Sequence, residues 1–192
     1  MCLGINSACN AYAALPSPYN IIVGYSVDLD TSVSGSGQIY YLSLTSGSSD
    51  FTTAQGYVNL LNAGFIPINI FQITYDGVYP YGGGGSSTNK ASFQIWLMSD
   101  GSRYYFVIKY TSLTTTSGSA GLELLLSSGS YSLIPFTNPL TSSNVGTTGI
   151  WVYETTSSAA GKTTAFDFEG VGEGYDLNHN ILNNVQEKII FY

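Results

Sequence analysis

Residues 91–110 constrain the fold more than any other stretch of the chain. Two runs of aromatic and β-branched residues flank Ser99-Asp100-Gly101-Ser102, and Asp-Gly supplies the positive φ angles that a tight primed turn requires. A β-hairpin is expected here. Along its first arm Phe93, Ile95 and Leu97 point one way and Gln94, Trp96 and Met98 the other, while Tyr104, Phe106, Ile108 and Tyr110 share one face of the second arm. Both faces carry bulk, as in a central hairpin with one side in a core and the other partly covered.

The flanking sequence adds strands. Residues 21–28 and 38–44 read as two strands around a Ser/Gly turn and are expected to form a hairpin; residues 68–75, 120–126, 131–136, 149–154 and 186–192 read as further strands. Residues 50–63 place Phe51, Ala54, Val58 and Leu61 at three- and four-residue intervals, with Asp50 or Thr52 as N-cap and Gly64 just past the end, which predicts a helix. Residues 79–89, with four consecutive glycines, read as a loop. Residues 1–20 read as an irregular N-terminal arm, 21–154 as the β domain, and 155–192 as a C-terminal extension packing on the domain or on a neighbour. The predicted class is all-β, an antiparallel β-sandwich with one or two short helices, in a single domain of ordinary size for 192 residues.

Charge narrows the function. Only 9% of residues are charged and the net charge is −7, against about a quarter charged in a typical domain. With five Lys and Arg in all, no cation-lined groove for nucleic acid is expected. No apolar run reaches the roughly 18–20 residues of a membrane span. Met1 is followed by neither a basic stretch nor a sustained apolar one, so the chain reads as cytoplasmic or as a trimmed piece of a secreted protein. Solubility that rests on hydroxyls, amides and tyrosines suits secreted or matrix material.

Several residue sets invite a chemical reading. Cys2 and Cys9 could close a small disulfide loop in an oxidising compartment or stand as two free thiols. Asp28 and Asp30, with Ser32 and Ser34 behind them, alternate oxygens as a calcium loop does, but no acidic residue closes the loop; the competing reading is a turn capped by an Asx interaction. Calcium is the one cofactor the sequence admits. Asp176, Asn178, Asn180 and Glu187 imitate calcium-loop spacing with Ile181 where the bend needs glycine. His179 is the single imidazole and has no nucleophile elbow to serve, and Asp167, Glu169, Glu173 and Asp176 read as a solvated acidic loop. Catalysis is not expected. Tyr79, Tyr81, Trp96 and Tyr104 are the candidate binding residues, as an aromatic face for protein contact or for sugar stacking.

The order of motifs from about residue 23 to 153 resembles the NIDO domain, the extracellular module of nidogen, alpha-tectorin and mucin-4. Asp28-Leu29-Asp30-Thr31 matches its opening Asp-x-Asp-Thr, Thr74-Tyr75-Asp76-Gly77-Val78 its Thr-aromatic pair before Val, and Phe93-Gln94 with Asp100-Gly101 its central hairpin. Most specific is Ser143-Asn144-Val145-Gly146 followed by Gly149-Ile150-Trp151-Val152-Tyr153. The resemblance implies an extracellular adhesion or matrix role with no catalysis. Expected partners are further copies of the chain, as a homo-oligomer or polymer, or other matrix proteins; residues 186–192 or the arm up to Asn20 could add to a neighbour's sheet edge and build a filament. The alternative is a glycan-binding module in which Tyr79, Tyr81 and Trp96 stack on sugar rings while Asp76 and Asn89 bond their hydroxyls.

Overall fold

The structure is a computed structural model that describes residues 2–5, 21–25, 29–80, 90–113, 121–123, 139–155, 164–169, 174–175, 181–182 and 188–191, with side chains in 24–25, 29–80, 90–113 and 139–154. Its strands are β1 (Cys2–Ile5), β2 (Ile21–Val23), β3 (Leu29–Asp30), β4 (Gln38–Ser43), β5 (Asn69–Pro80), β6 (Ala91–Ser99), β7 (Tyr104–Ser112), β8 (Gly121–Glu123), β9 (Ile150–Thr155), β10 (Thr164–Glu169), β11 (Gly174–Tyr175), β12 (Ile181–Leu182) and β13 (Lys188–Phe191), with one helix, α1 (Ser49–Asn59). The main sheet runs β12-β11-β4-β5-β6-β7-β9, and β3 pairs with β5. A second sheet runs β13-β10-β1-β2-β8. All pairings are antiparallel except that of β11 with β4, where Tyr175 lies opposite Tyr40. The all-β, antiparallel class with a short helix is what the chain adopts.

The β6–β7 hairpin is central, as its sequence requires. Met98 pairs with Tyr105 and Ser99 with Tyr104, so the chain reverses through Asp100–Arg103 with Gly101 at φ 89°. Alternation then splits the sheet into two apolar faces. One gathers Phe71, Ile73, Tyr75, Phe93, Ile95, Leu97, Phe106, Ile108 and Trp151. The other gathers Ile70, Trp96, Met98, Tyr105, Val107 and Val152 under α1 and Phe65.

Helix α1 is shorter than its periodicity predicts. Its N-cap is Ser48, whose hydroxyl accepts from Phe51 N–H at 3.2 Å, rather than Asp50 or Thr52. Phe51, Ala54 and Val58 are buried on the sheet, but the helix stops at Asn59 and Leu61 turns to solvent.

Other readings are corrected by the pairing. Residues 21–28 and 38–44 do not form a hairpin: β2 joins β1 and β8, and β4 pairs with β5. The break falls at Gly24, which lies so close to the main sheet that a Cβ there would meet Ile95 Cδ1 and Phe93 Cε2 at 2.8 Å. Cys2–Ile5, in the arm read as irregular, is a strand between β10 and β2. Within the C-terminal segment β10 pairs with β1 and β13 with β10, so both arms pair inside their own chain. The bridge between the sheets that the described side chains show is Tyr110 Oη donating to the Gly24 carbonyl at 2.5 Å, with Tyr25 edge-on to Phe93; face-to-face stacking as a sandwich would rest on side chains outside the described residues.

Candidate functional site

The four aromatic candidates do not make one surface. Trp96 is 3% exposed beneath α1, where Tyr57 packs against its ring at 5.8 Å and its Nε1 donates to Gln72 Oε1 at 2.9 Å. Tyr79 is 5% exposed, with the Lys90 ammonium 5.1 Å from its ring centre. Tyr104 is half-buried on the face opposite Trp96, and Tyr81 lies outside the described residues. Trp96 and Tyr79 therefore serve the core and offer no ring to a partner. Asp76 is exposed, and Asn89 lies outside the described residues.

Asp30 carries out the turn role. Its Oδ1 accepts from Ser32 N–H at 2.8 Å and from Ser32 Oγ at 2.6 Å, an Asx turn held locally. Asp28 and Cys9 lie outside the described residues, as do the side chains of Cys2, Asp167 and Asp176. Among the described residues no three His, Cys, Asp or Glu side chains gather as a metal site would need.

The surface feature the aromatic reading missed lies just past α1. The Leu60 N–H still bonds back to the helix, and Leu61 and Asn62 N–H both bond the Val58 carbonyl. Asn62 Nδ2 then donates to Tyr105 Oη at 2.8 Å, and Gln55 Nε2 donates to the Phe65 carbonyl at 3.0 Å. The Phe65 ring sits edge-on to Tyr105 at 4.7 Å, with the Arg103 guanidinium 5.6 Å from its centre. Ile68 N–H bonds the Ser99 carbonyl at 2.7 Å.

These anchors hold Phe65 and Pro67 inward and force their neighbours out. Leu60, Leu61, Ile66 and Ile68 are 54%, 49%, 70% and 66% exposed, and they are the large exposed hydrophobic side chains of the described residues. All four fall within nine residues. The signal was in the sequence: residues 60–68 hold seven apolar residues counting Pro67, with no charge, where a surface loop is usually polar.

Beside this loop the turn charges cancel locally. Arg103 Nη2 lies 2.7 Å from Asp100 Oδ2, and Asp100 Oδ1 accepts from the N–H groups of Ser102 and Arg103 at 2.9 and 2.7 Å. Partial burial pushes the Asp100 carboxyl up, but these hydrogen bonds and those from both side chains outweigh it and hold the pKa at about 2. Burial raises the Tyr105 hydroxyl, and Glu154 adds to that.

At the other edge of the sheet, residues 139–149 fold over β9. The Asn144 side chain bonds both backbone groups of Val152, Ser143 Oγ accepts from Val145 and Thr147 N–H, and Ile150 N–H bonds the Thr147 carbonyl. Gly146 and Gly149 take φ of 79° and 78°, and Trp151 Nε1 donates to the Pro139 carbonyl.

The family model described as the Nidogen-like domain matches residues 2–157. The chain belongs to that family. Nidogen-like domains are extracellular modules, and among the described residues of this one no helix is long and apolar enough to cross a membrane. No curated protein and no solved structure matches the chain. Each described motif behind the resemblance makes structure in this nidogen-like domain. Asp30 forms the Asx turn, Gly77 at φ 64° shapes the bulge between Tyr75 and Val78, Asp100 clamps the hairpin, and Asn144 covers β9. The aliphatic loop at 60–68 lies outside these motifs, within the residues that the family model matches.

Proposed function

We propose that this nidogen-like domain is a non-catalytic adhesion module of the extracellular matrix that works by protein contact through the loop at 60–68. The observation that carries the reading is the concentration of Leu60, Leu61, Ile66 and Ile68, all about half-exposed or more, on a loop pinned to the sheet by Asn62, Phe65 and Ile68. Four such side chains expose on the order of 400 Å² of aliphatic surface, the size of the largest apolar patch on a typical monomer, which is often functional. Because the loop is already ordered, a partner loses little to immobilising it, and more of the apolar burial appears as affinity. Sugar stacking loses its main support, since Trp96 and Tyr79 are buried.

Beads coated with the domain and settled on a surface carrying extracellular-matrix extract test the reading under shear. Wild-type beads are expected to hold, and beads carrying Ile66→Asp or Ile68→Asp to wash away. Equal retention of wild type and variants would overturn it, as would failure of the wild type to hold.

A further inference from the structure

Resting on the reading of the 60–68 loop as a contact surface, we infer that its outward aliphatic residues are held in position from outside the loop: Glu154 of β9 is a positioning residue that acts on the loop through the Tyr105 hydroxyl.

Tyr105 and Glu154 lie directly opposite each other across β7 and β9, so their side chains leave the sheet on one face. It is the face that carries Phe65. A phenol offers one proton and two lone pairs. The Asn62 amide occupies the acceptor side of Tyr105 Oη at 2.8 Å, so the proton needs an acceptor elsewhere. The Glu154 carboxylate supplies it. Burial raises the Tyr105 hydroxyl most, the Asn62 bond lowers it, and the hydrogen bond and charge of Glu154 raise it again, the sign expected of a phenol that donates to a carboxylate.

The three groups form a relay in which every hydrogen bond runs the same way, from the Asn62 amide to the Tyr105 hydroxyl to the Glu154 carboxylate. Such bonds polarise one another, and an ionised acceptor at the end strengthens the whole. Asn62 is the residue at which the chain leaves α1: its N–H still bonds the Val58 carbonyl, while Leu61 before it and Ala63 after it are exposed. At the other end Ile68 N–H bonds the Ser99 carbonyl. The spacing of Leu60, Leu61, Ile66 and Ile68 is set between these two anchors. Without Glu154 the Asn62 anchor weakens, and a partner must order the loop itself, which lowers affinity.

A competing role for Glu154 is to balance Arg103, which lies within its electrostatic reach. Arg103 already has a partner in Asp100 at 2.7 Å. The two roles also differ in what they require of residue 154. Charge balance needs the carboxylate, whereas the relay needs only an acceptor oxygen, which glutamine keeps.

Bead retention on matrix extract, together with hydrogen exchange of the loop amides read by NMR on the whole chain, tests this. Glu154→Ala should release beads that the wild type holds, and should speed exchange at Leu61, Asn62 and Ile68 about threefold to tenfold, the factor set by one net hydrogen bond. Glu154→Gln should restore most of both. Tyr105→Phe should match Glu154→Ala, and adding Glu154→Ala to Tyr105→Phe should change nothing further, because both break one relay. Asp76→Ala, which removes an exposed carboxylate at the β5 bulge, should leave both readouts at wild-type level, and near-ultraviolet circular dichroism should show every variant folded. Wild-type behaviour of Glu154→Ala overturns the inference, as does a glutamine variant as impaired as the alanine one, or full additivity of Glu154→Ala with Tyr105→Phe. If Ile66→Asp releases the beads but Glu154→Ala and Tyr105→Phe do not, the relay falls and the adhesion reading stands. If Ile66→Asp beads hold as firmly as wild type, both fall.

Discussion

The side-chain amide of Asn144 pairs with Val152 as a strand residue would, Nδ2 donating to the Val152 carbonyl at 2.6 Å and Oδ1 accepting from the Val152 N–H at 2.9 Å. β9 is the last strand of the main sheet, so these are backbone groups that an unpaired edge would present to another chain. Ile150 N–H, satisfied by Thr147, is covered by the same loop.

Asn144→Ala should therefore cost about 1–3 kcal/mol, the range for leaving backbone groups without partners. It should also open β9 to strand addition, raising light scattering on mild heating. Asn144→Asp should be no better, because a carboxylate keeps the acceptor but sets a second oxygen against the Val152 carbonyl. Unchanged melting and scattering in both variants would show the edge is not held this way.

Two tyrosine-to-phenylalanine changes should have opposite signs. Tyr75 is fully buried against Phe93, ring centres 4.2 Å apart, and its hydroxyl has no hydrogen-bond partner among the described residues. Removing that oxygen should raise stability by about 1 kcal/mol. Tyr110 Oη holds the Gly24 carbonyl at 2.5 Å, and its loss should cost about 1–2 kcal/mol. Urea midpoints of Tyr75→Phe and Tyr110→Phe decide the matter; equal shifts in one direction would contradict it.

Asp100 gives the turn a pH dependence. Its pKa falls from 3.8 to about 2 on folding, so the stabilisation is complete above the unfolded value and is lost as pH drops through the folded one. The two values set an upper bound of about 2.5 kcal/mol, which solvent screening at an exposed turn reduces to about 1 kcal/mol. Acid titration of thermal stability should show this loss between about pH 4 and pH 2 in the wild type and a shallower one in Asp100→Asn. Parallel curves would place the acid sensitivity elsewhere.

Gly37 and Gly24 should reject a methyl group for different reasons. A Cβ at Gly37 would lie 1.6 Å from the Asp76 carbonyl oxygen, which backbone cannot yield, so Gly37→Ala should prevent the bulge at Gly77 from closing and cost more than about 3 kcal/mol. At Gly24 the obstacles are side-chain atoms of Ile95 and Phe93, which can shift, so Gly24→Ala should cost about 1–3 kcal/mol. Thermal melting of both variants checks the order.

Local pattern was legible where one periodicity ruled. The hairpin at 91–110 announced itself because alternation and Asp100-Gly101 agree, and Phe51, Ala54 and Val58 marked the buried face of α1. Leu61 was misplaced because it keeps helical spacing after the helix has ended; Asn62 and Phe65, which turn inward onto Tyr105, compete for that turn. The expected hairpin of residues 21–44 failed because both segments are good strands, and their own pattern does not choose the partners they take, β1 and β8 for β2 and β5 for β4. Trp96 and Tyr79 show why aromatic content alone does not reveal a binding face: period two places a ring on a side of the sheet but does not say whether a helix will cover it. The exposed loop at 60–68 is an uncharged aliphatic run, and such a run reads equally as core until its exposure is known.

The most direct test of the account is carbene footprinting of the domain, free in solution and adhered to matrix-coated beads. Labelling of Leu60, Leu61, Ile66 and Ile68 should fall sharply on adhesion while Thr148 and Asp76 stay as accessible as before. Full labelling of the four aliphatic residues in the adhered state, with protection elsewhere on the surface, would contradict it.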